Sequence, residues 1–151
     1  MNDTFRGIPD LVCMCATVRR ASRALTQLYD ETLRPLGLRA TQFTILQVLS
    51  RTGELSQGEL GQILAMDSTT LTRTLRIMSQ QGWIAEHRGA DRRERLLRLA
   101  KAGRDQFNRA LPHWEKAQAL LGRQLGDKRW RDLLTLSNEV TSLATKKGDL
   151  S

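Results

Sequence analysis

The residues best suited to chemistry in this chain of 151 amino acids are hydroxyls and guanidiniums crowded into one short stretch. Between Ser68 and Gln80, the residues Thr69, Thr72, Arg73, Arg76 and Gln80 fall on one side of a helix, while Leu71, Leu75 and Met78 recur at i, i+4 and i+7 on the other. The polar side offers small hydroxyls, an amide and two guanidinium groups, with no acid among them. Those are the donors that meet phosphates and base edges in a DNA major groove, which is wide enough to admit a helix. A solvated face with incidental arginines is the plainer alternative. Just downstream, two strand-like runs, Trp83 to Arg88 and Glu94 to Leu99, flank a turn-rich tip at residues 89–93. From Ser68 to Leu99, the arginines at 73, 76, 88, 92, 93, 95 and 98 face only Glu86, Asp91 and Glu94. About half of the chain's net charge of +8 therefore sits in about a fifth of its length, and these arginines must point at solvent or at a polyanion.

Catalytic chemistry finds no comparable footing. The two histidines, His87 and His113, lie in no nucleophile-elbow, zinc-binding or paired-carboxylate context, and no glycine loop of the phosphate-cradling kind is present. Neither an enzyme, a cofactor nor a metal is expected. Cys13 and Cys15 lie two apart on a helix and point about 200° away from each other, so the pair cannot close a disulfide or chelate a metal without unwinding the first turns. Cys15, beside the seam of Leu11, Met14 and Val18, is expected as a small buried hydrophobe, and Cys13 to face outward.

The elements that position the basic stretch follow from caps and periodicity. Ser56-Gln57-Gly58-Glu59 has capping-box spacing, so a helix should begin near Gln57 and carry Leu60, Ile63 and Leu64 inward. Residues 65–67 leave room only for a turn, and Asp67 is a good N-cap for the helix from Ser68. Upstream, Leu11, Met14, Val18, Ala21, Leu25 and Leu28 mark a long helix from Asp10 to about Arg34, broken by Pro35 and Gly37. Ala40 to Arg51 forms a second helix with Phe43, Leu46, Val48 and Leu49 inward, and Glu54-Leu55 could add a third strand beside the hairpin. Lys101 to about Leu125 reads as another long helix, in which Pro112 implies a kink near Ala110 or a break. The last helix, Asp127 to about Thr145, carries Trp130, Leu133, Leu134, Val140 and Leu143 on one side. Apolar stripes on both terminal segments need a partner helix, and a homodimer in which the first and last helices interlock supplies it.

These pieces together resemble the winged helix-turn-helix domain of the multiple-antibiotic-resistance regulator (MarR) family. The match rests on residues 38–43 (Leu-Arg-Ala-Thr-Gln-Phe), residues 55–60 (Leu-Ser-Gln-Gly-Glu-Leu), residues 67–73 (Asp-Ser-Thr-Thr-Leu-Thr-Arg), residues 81–84 (Gln-Gly-Trp-Ile) and the wing from Asp91 to Leu99. The resemblance implies a mainly α fold with a small β-wing (α+β). A winged helix-turn-helix domain would span 35–100, with dimerisation helices at 1–34 and 101–151. It also implies a dimeric transcriptional regulator, most simply a repressor of a pseudo-palindromic operator, with Ser68, Thr69, Thr70, Thr72, Arg73, Arg76, Arg88, Asp91, Arg92, Arg93 and Arg95 as DNA-binding residues. In the wing, Arg93 is expected to enter the minor groove while Asp91 holds it. Where the family usually has Leu-Thr opening the next helix, this chain has Leu99-Ala100, which removes a hydroxyl cap.

Such regulators typically answer a small aromatic or anionic effector, or thiol oxidation. Candidates are Cys13, Cys15, Tyr29, Phe43, Phe107, His113 and Trp114, each with ordinary packing or surface exposure as its alternative. On the residues alone two other uses of the basic surface stay open: docking of an acidic protein partner, and nucleic-acid binding without sequence preference. A sequence pI near 10.5 suits all three. No apolar run approaches the ~18 residues of a membrane span and the first residues do not resemble a signal peptide, so a cytoplasmic protein is expected.

Overall fold

The computed structural model describes residues 12–91 and 93–146. Helix α1 spans Met14–Leu33 and runs into a short 3-10 turn, Arg34–Leu36, with Pro35 in its first positions. Gly37 closes the turn at φ +65°, and its N–H reaches the Arg34 carbonyl. Helix α2 (Ala40–Thr52) leads to strand β1 (Glu54–Ser56), helix α3 (Gln57–Leu64) and helix α4 (Ser68–Gln80). Strands β2 (Ile84–Arg88) and β3 (Arg95–Leu99) form the hairpin, and the long helices α5 (Lys101–Leu125) and α6 (Asp127–Thr145) complete the chain. Strand β3 lies between β1 and β2, antiparallel to both, so the expected third strand is present.

The core gathers Phe43, Ile45, Leu46 and Leu49 of α2, Leu60 of α3, Leu71, Leu75 and Met78 of α4, Ile84, Leu97 and Leu99 of the sheet, and Phe107 and Ala110 of α5. Phe43 stacks at 5.5 Å on Phe107 and at 5.7 Å on Trp114. Burial of this apolar surface is what stabilises the lobe. Polar struts join it to α1 and α5. The Asp30 carboxylate accepts the Ala40 N–H at 2.7 Å and an Arg39 guanidinium bond at 3.0 Å, capping α2 from a neighbouring helix. Buried Gln106 donates to the Leu36 carbonyl at 2.7 Å. At the first turn of α5, a Cβ on Gly103 would lie 1.9 Å from the Trp83 carbonyl oxygen, which already accepts the Ala100 N–H at 3.0 Å. Only glycine admits so close an approach of α5 to the base of the hairpin.

Several expectations change. Ile63 is exposed, because a two-turn helix meets the lobe along the Leu60–Leu64 line and turns its third apolar residue out. Cys15 is exposed rather than buried, since among the described residues no element covers the first turn of α1. Helix α5 crosses Pro112 without a break, leaving the Asn108 carbonyl without its usual helical donor. As expected, no side chain caps α5 at Ala100. Helix α1 starts at Met14 with Cys13 as an extended N-cap, later than the expected start at Asp10, so Cys13 is not helical; Leu11 of the seam lies outside the described residues.

Candidate nucleic-acid interface

The helix-turn-helix is assembled by side chains close in sequence. At the start of α3 the Glu59 N–H donates to Ser56 Oγ at 3.2 Å, while the Ser56 N–H donates to Glu59 Oε2 at 2.8 Å, the reciprocal bonding anticipated from the spacing. These bonds hold the Glu59 carboxyl below the usual carboxylate range. The turn into α4 passes through Ala65 at φ +50°, a left-handed conformation that costs a residue with a Cβ and lets the two helices meet at a sharp angle. Asp67 then caps α4, accepting the Thr70 N–H at 2.8 Å and the Thr70 hydroxyl at 2.7 Å, which lowers its own pKa. Thr70 thus spends its hydroxyl proton on the cap.

On the outer face of α4, Ser68, Thr69, Thr72, Arg73 and Arg76 are exposed and together line one shallow groove of about 370 Å³. Gln80 lies exposed at the end of the same helix. Gln57, not singled out from the sequence, reaches this face and donates from Nε2 to Thr72 Oγ at 2.8 Å. No sequence signal marks that contact, because it joins residues on different helices.

In the hairpin, Arg88 and Arg95 face each other directly across β2 and β3. Like charges so placed repel, and among the described residues the Glu86 carboxylate, 3.4 Å from the exposed Arg95, partly offsets them. The Asp91 carboxylate accepts the backbone N–H of Arg93 at 3.0 Å, so it holds Arg93 through the main chain and shapes the tip. Arg93 is exposed at the tip, and Arg92 lies outside the described residues. His87 Nε2 lies 3.0 Å from Glu54 Oε1, linking the two outer strands across β3.

Comparison with known proteins places this arrangement. Residues 36–94 match the model of the MarR family. A crystal structure of the Mycobacterium tuberculosis transcriptional regulator MosR in complex with DNA is 37% identical, covers 87% of this chain and 98% of its own, and superposes with a TM-score of 0.76. The chain belongs to the MarR family of DNA-binding transcriptional regulators. A cysteine-to-serine variant of Escherichia coli MarR complexed with operator DNA shares the fold at 22% identity, with a TM-score of 0.77 over 87% of this chain and 99% of its own. Among curated proteins of Bacillus subtilis (strain 168), an uncharacterized HTH-type regulator, YwoH, is 29% identical over 90 residues, 60% of this chain and 66% of its own. An organic hydroperoxide resistance transcriptional regulator is 33% identical over 91 residues, 60% of this chain and 62% of its own. The matches to these two curated relatives thus span just under two thirds of their lengths.

The effector candidates of this MarR-family chain separate into groups. Phe43, Phe107 and Trp114 form the stacked core, and His113 is half-buried on α5. Tyr29 instead faces an apolar cavity of about 590 Å³ walled by α1, α2, α5, α6 and, from the α3–α4 corner, Leu64 and Met66. Its hydroxyl donates to Gln118 Oε1, and burial pushes its pKa up. Cys13 and Cys15 are exposed and do not line this cavity, although Val18, one turn on from Cys15, does. Among the described residues no group of three His, Cys, Asp or Glu is placed to hold a metal, and no helix is long and apolar enough to cross a membrane.

Proposed function

We propose that two copies of this chain bind a pseudo-palindromic operator, each laying α4 in a major groove with the hairpin along the flanking minor groove, and so repress transcription. One observation carries this reading: the exposed, acid-free face on which Ser68, Thr69, Thr72, Arg73 and Arg76 line a single groove, with the arginines of the hairpin beside it. Arg73 and Arg76 would reach phosphates and guanine edges, Thr69 and Thr72 bases or methyls, and Arg93 the minor groove, with Ser68, Thr70, Arg88 and Arg95 at the margins. Residues 35–100 act as the DNA-binding lobe; 1–34 and 101–151 pair the copies, so that two half-sites lie about one helical turn apart. The dimer is supported by the apolar faces that the single chain leaves open: Met14 and Val18 on α1, and Leu133, Leu134, Leu136 and Leu143 on α6.

Selecting duplexes from a random pool tests this directly. A symmetric pair of half-sites is expected, bound with a log affinity that falls by about 0.9 per neutralised phosphate for each unit of log salt. Recovery of no sequence, with a flat salt response, would favour docking of a protein partner instead. For the input, oxidation of the exposed Cys13 and Cys15 is one route and an aromatic or anionic ligand beside Tyr29 the other. Peroxide-induced release from DNA in the wild type but not in Cys13→Ser or Cys15→Ser supports the first; identical release in both variants removes it.

A further inference from the structure

We infer that Gln57 is a specificity-determining residue: it biases the Thr72 hydroxyl towards donating, so that Thr72 favours a base that presents an acceptor. This rests on the DNA-reading role proposed for α4. Helical threonines elsewhere in the chain, Thr26, Thr44, Thr52 and Thr74, give their hydroxyl protons to the carbonyl four residues back. Thr72 does not. Its oxygen accepts the Gln57 side-chain N–H at 2.8 Å, and among the described residues its own proton goes to no group. A hydroxyl whose oxygen accepts a bond is polarised into a better donor.

Gln57 is held in place for this task. It opens α3 directly after Ser56, whose backbone N–H is tied to the Glu59 carboxylate at 2.8 Å, and it is half-buried. It also shares a recess with Arg93 and Arg95, and so stands between the hairpin tip and α4. Thr72 lies in the exposed groove with Arg73 and Arg76, where a base edge would be presented. In the major groove purine N7, guanine O6 and thymine O4 accept a proton, whereas cytosine presents the N4 amino donor. With one of its two lone pairs taken by Gln57 and its proton free, Thr72 therefore favours an acceptor over the cytosine amino group at the position it faces. Without Gln57 the hydroxyl is released to turn back to the Ser68 carbonyl, as the other threonines do, and the preference is lost.

The test selects duplexes from a random pool with wild type, Gln57→Ala, Thr72→Val and Thr72→Ser, then measures all four and the Gln57→Ala/Thr72→Val double variant on the duplex that wild type recovers. One position in each half-site is expected to disfavour cytosine with wild type and Thr72→Ser, and to accept it with Gln57→Ala and Thr72→Val. Each of the latter weakens binding about five- to tenfold, and the double variant by the same factor rather than by the product. Thermal midpoints should stay together, which separates this effect from misfolding. Losses that multiply in the double variant, or cytosine disfavoured as strongly by Gln57→Ala as by wild type, would overturn the inference. A wild-type protein that recovers no sequence overturns it too, and removes the DNA-reading role of α4 on which it stands.

Discussion

The lobe from α2 to β3 and the helices α1 and α6 are built to different standards. In the lobe, α2, α3 and α4 each carry side-chain caps or buried residues, and Ile45, Leu46, Leu60, Met78 and Leu97 are fully buried. In α6 no residue is buried, and in α1 only Leu33 is, although both helices carry as many leucines as elements of the core do. The lobe buries its apolar residues within the single chain, with help from Phe107 and Ala110 of α5, whereas the outer helices leave most of theirs exposed. A helix that leaves Leu136 58% and Leu143 65% exposed has a face shaped for another helix.

That contrast can be broken from either side. The largest effect should come from Phe43→Ala, which removes the ring stacked on both Phe107 and Trp114 and costs about 3–5 kcal/mol, read from denaturant unfolding. A loss below about 1 kcal/mol would mean that this core is not what holds the lobe. Next, Leu136→Glu with Leu143→Glu should leave the circular dichroism of the lobe intact, shift sedimentation to monomer and weaken operator binding about 100-fold or more, because linked half-sites reinforce each other. A variant that remains dimeric would place the pairing elsewhere. Arg93→Ala should weaken binding about tenfold while dimerisation and thermal midpoint stay nearly unchanged. Unchanged affinity would take the hairpin tip out of the interface.

The smallest effect concerns pH. The Glu59 and Asp67 carboxyls are held below their ordinary values by bonds from Ser56 and Thr70, so their contribution is complete at neutral pH. It is lost as pH falls through and below the ordinary carboxylate range. Asp67→Asn keeps a cap but removes its share of the acid sensitivity, and a thermal midpoint followed from neutral to acid pH measures the difference. Tyr29 has the opposite sign, because its raised pKa favours the protonated phenol; that contribution disappears only as alkaline pH deprotonates it.

What could be read from the residues follows the same division. Helix α4 was legible at both ends, and its buried Leu71, Leu75 and Met78 were assigned correctly, because an N-cap and a 3.6-residue period are local facts. The capping box at Ser56 and the extra strand at Glu54 were legible for the same reason. Ile45, Ile63 and Cys15 were not, since their burial depends on which face meets another element. The aromatics show the limit most clearly: Phe43, Phe107 and Trp114 look alike in the sequence whether they line a cavity or fill a core, and only their stacking decides. Gln57 was missed because its partner Thr72 lies on the next helix.

The contact between Gly103 and the Trp83 carbonyl has a mechanical meaning for a protein of this design. With no side chain between them to compress or yield, the first turn of α5 and the root of the hairpin travel as one rigid casting. Spreading or closing the long helices of a paired assembly would then swing each reading head whole, like the legs of a pair of dividers. In such a pair the quantity a hinge would control is the span between the two heads, with the shape of each head held constant.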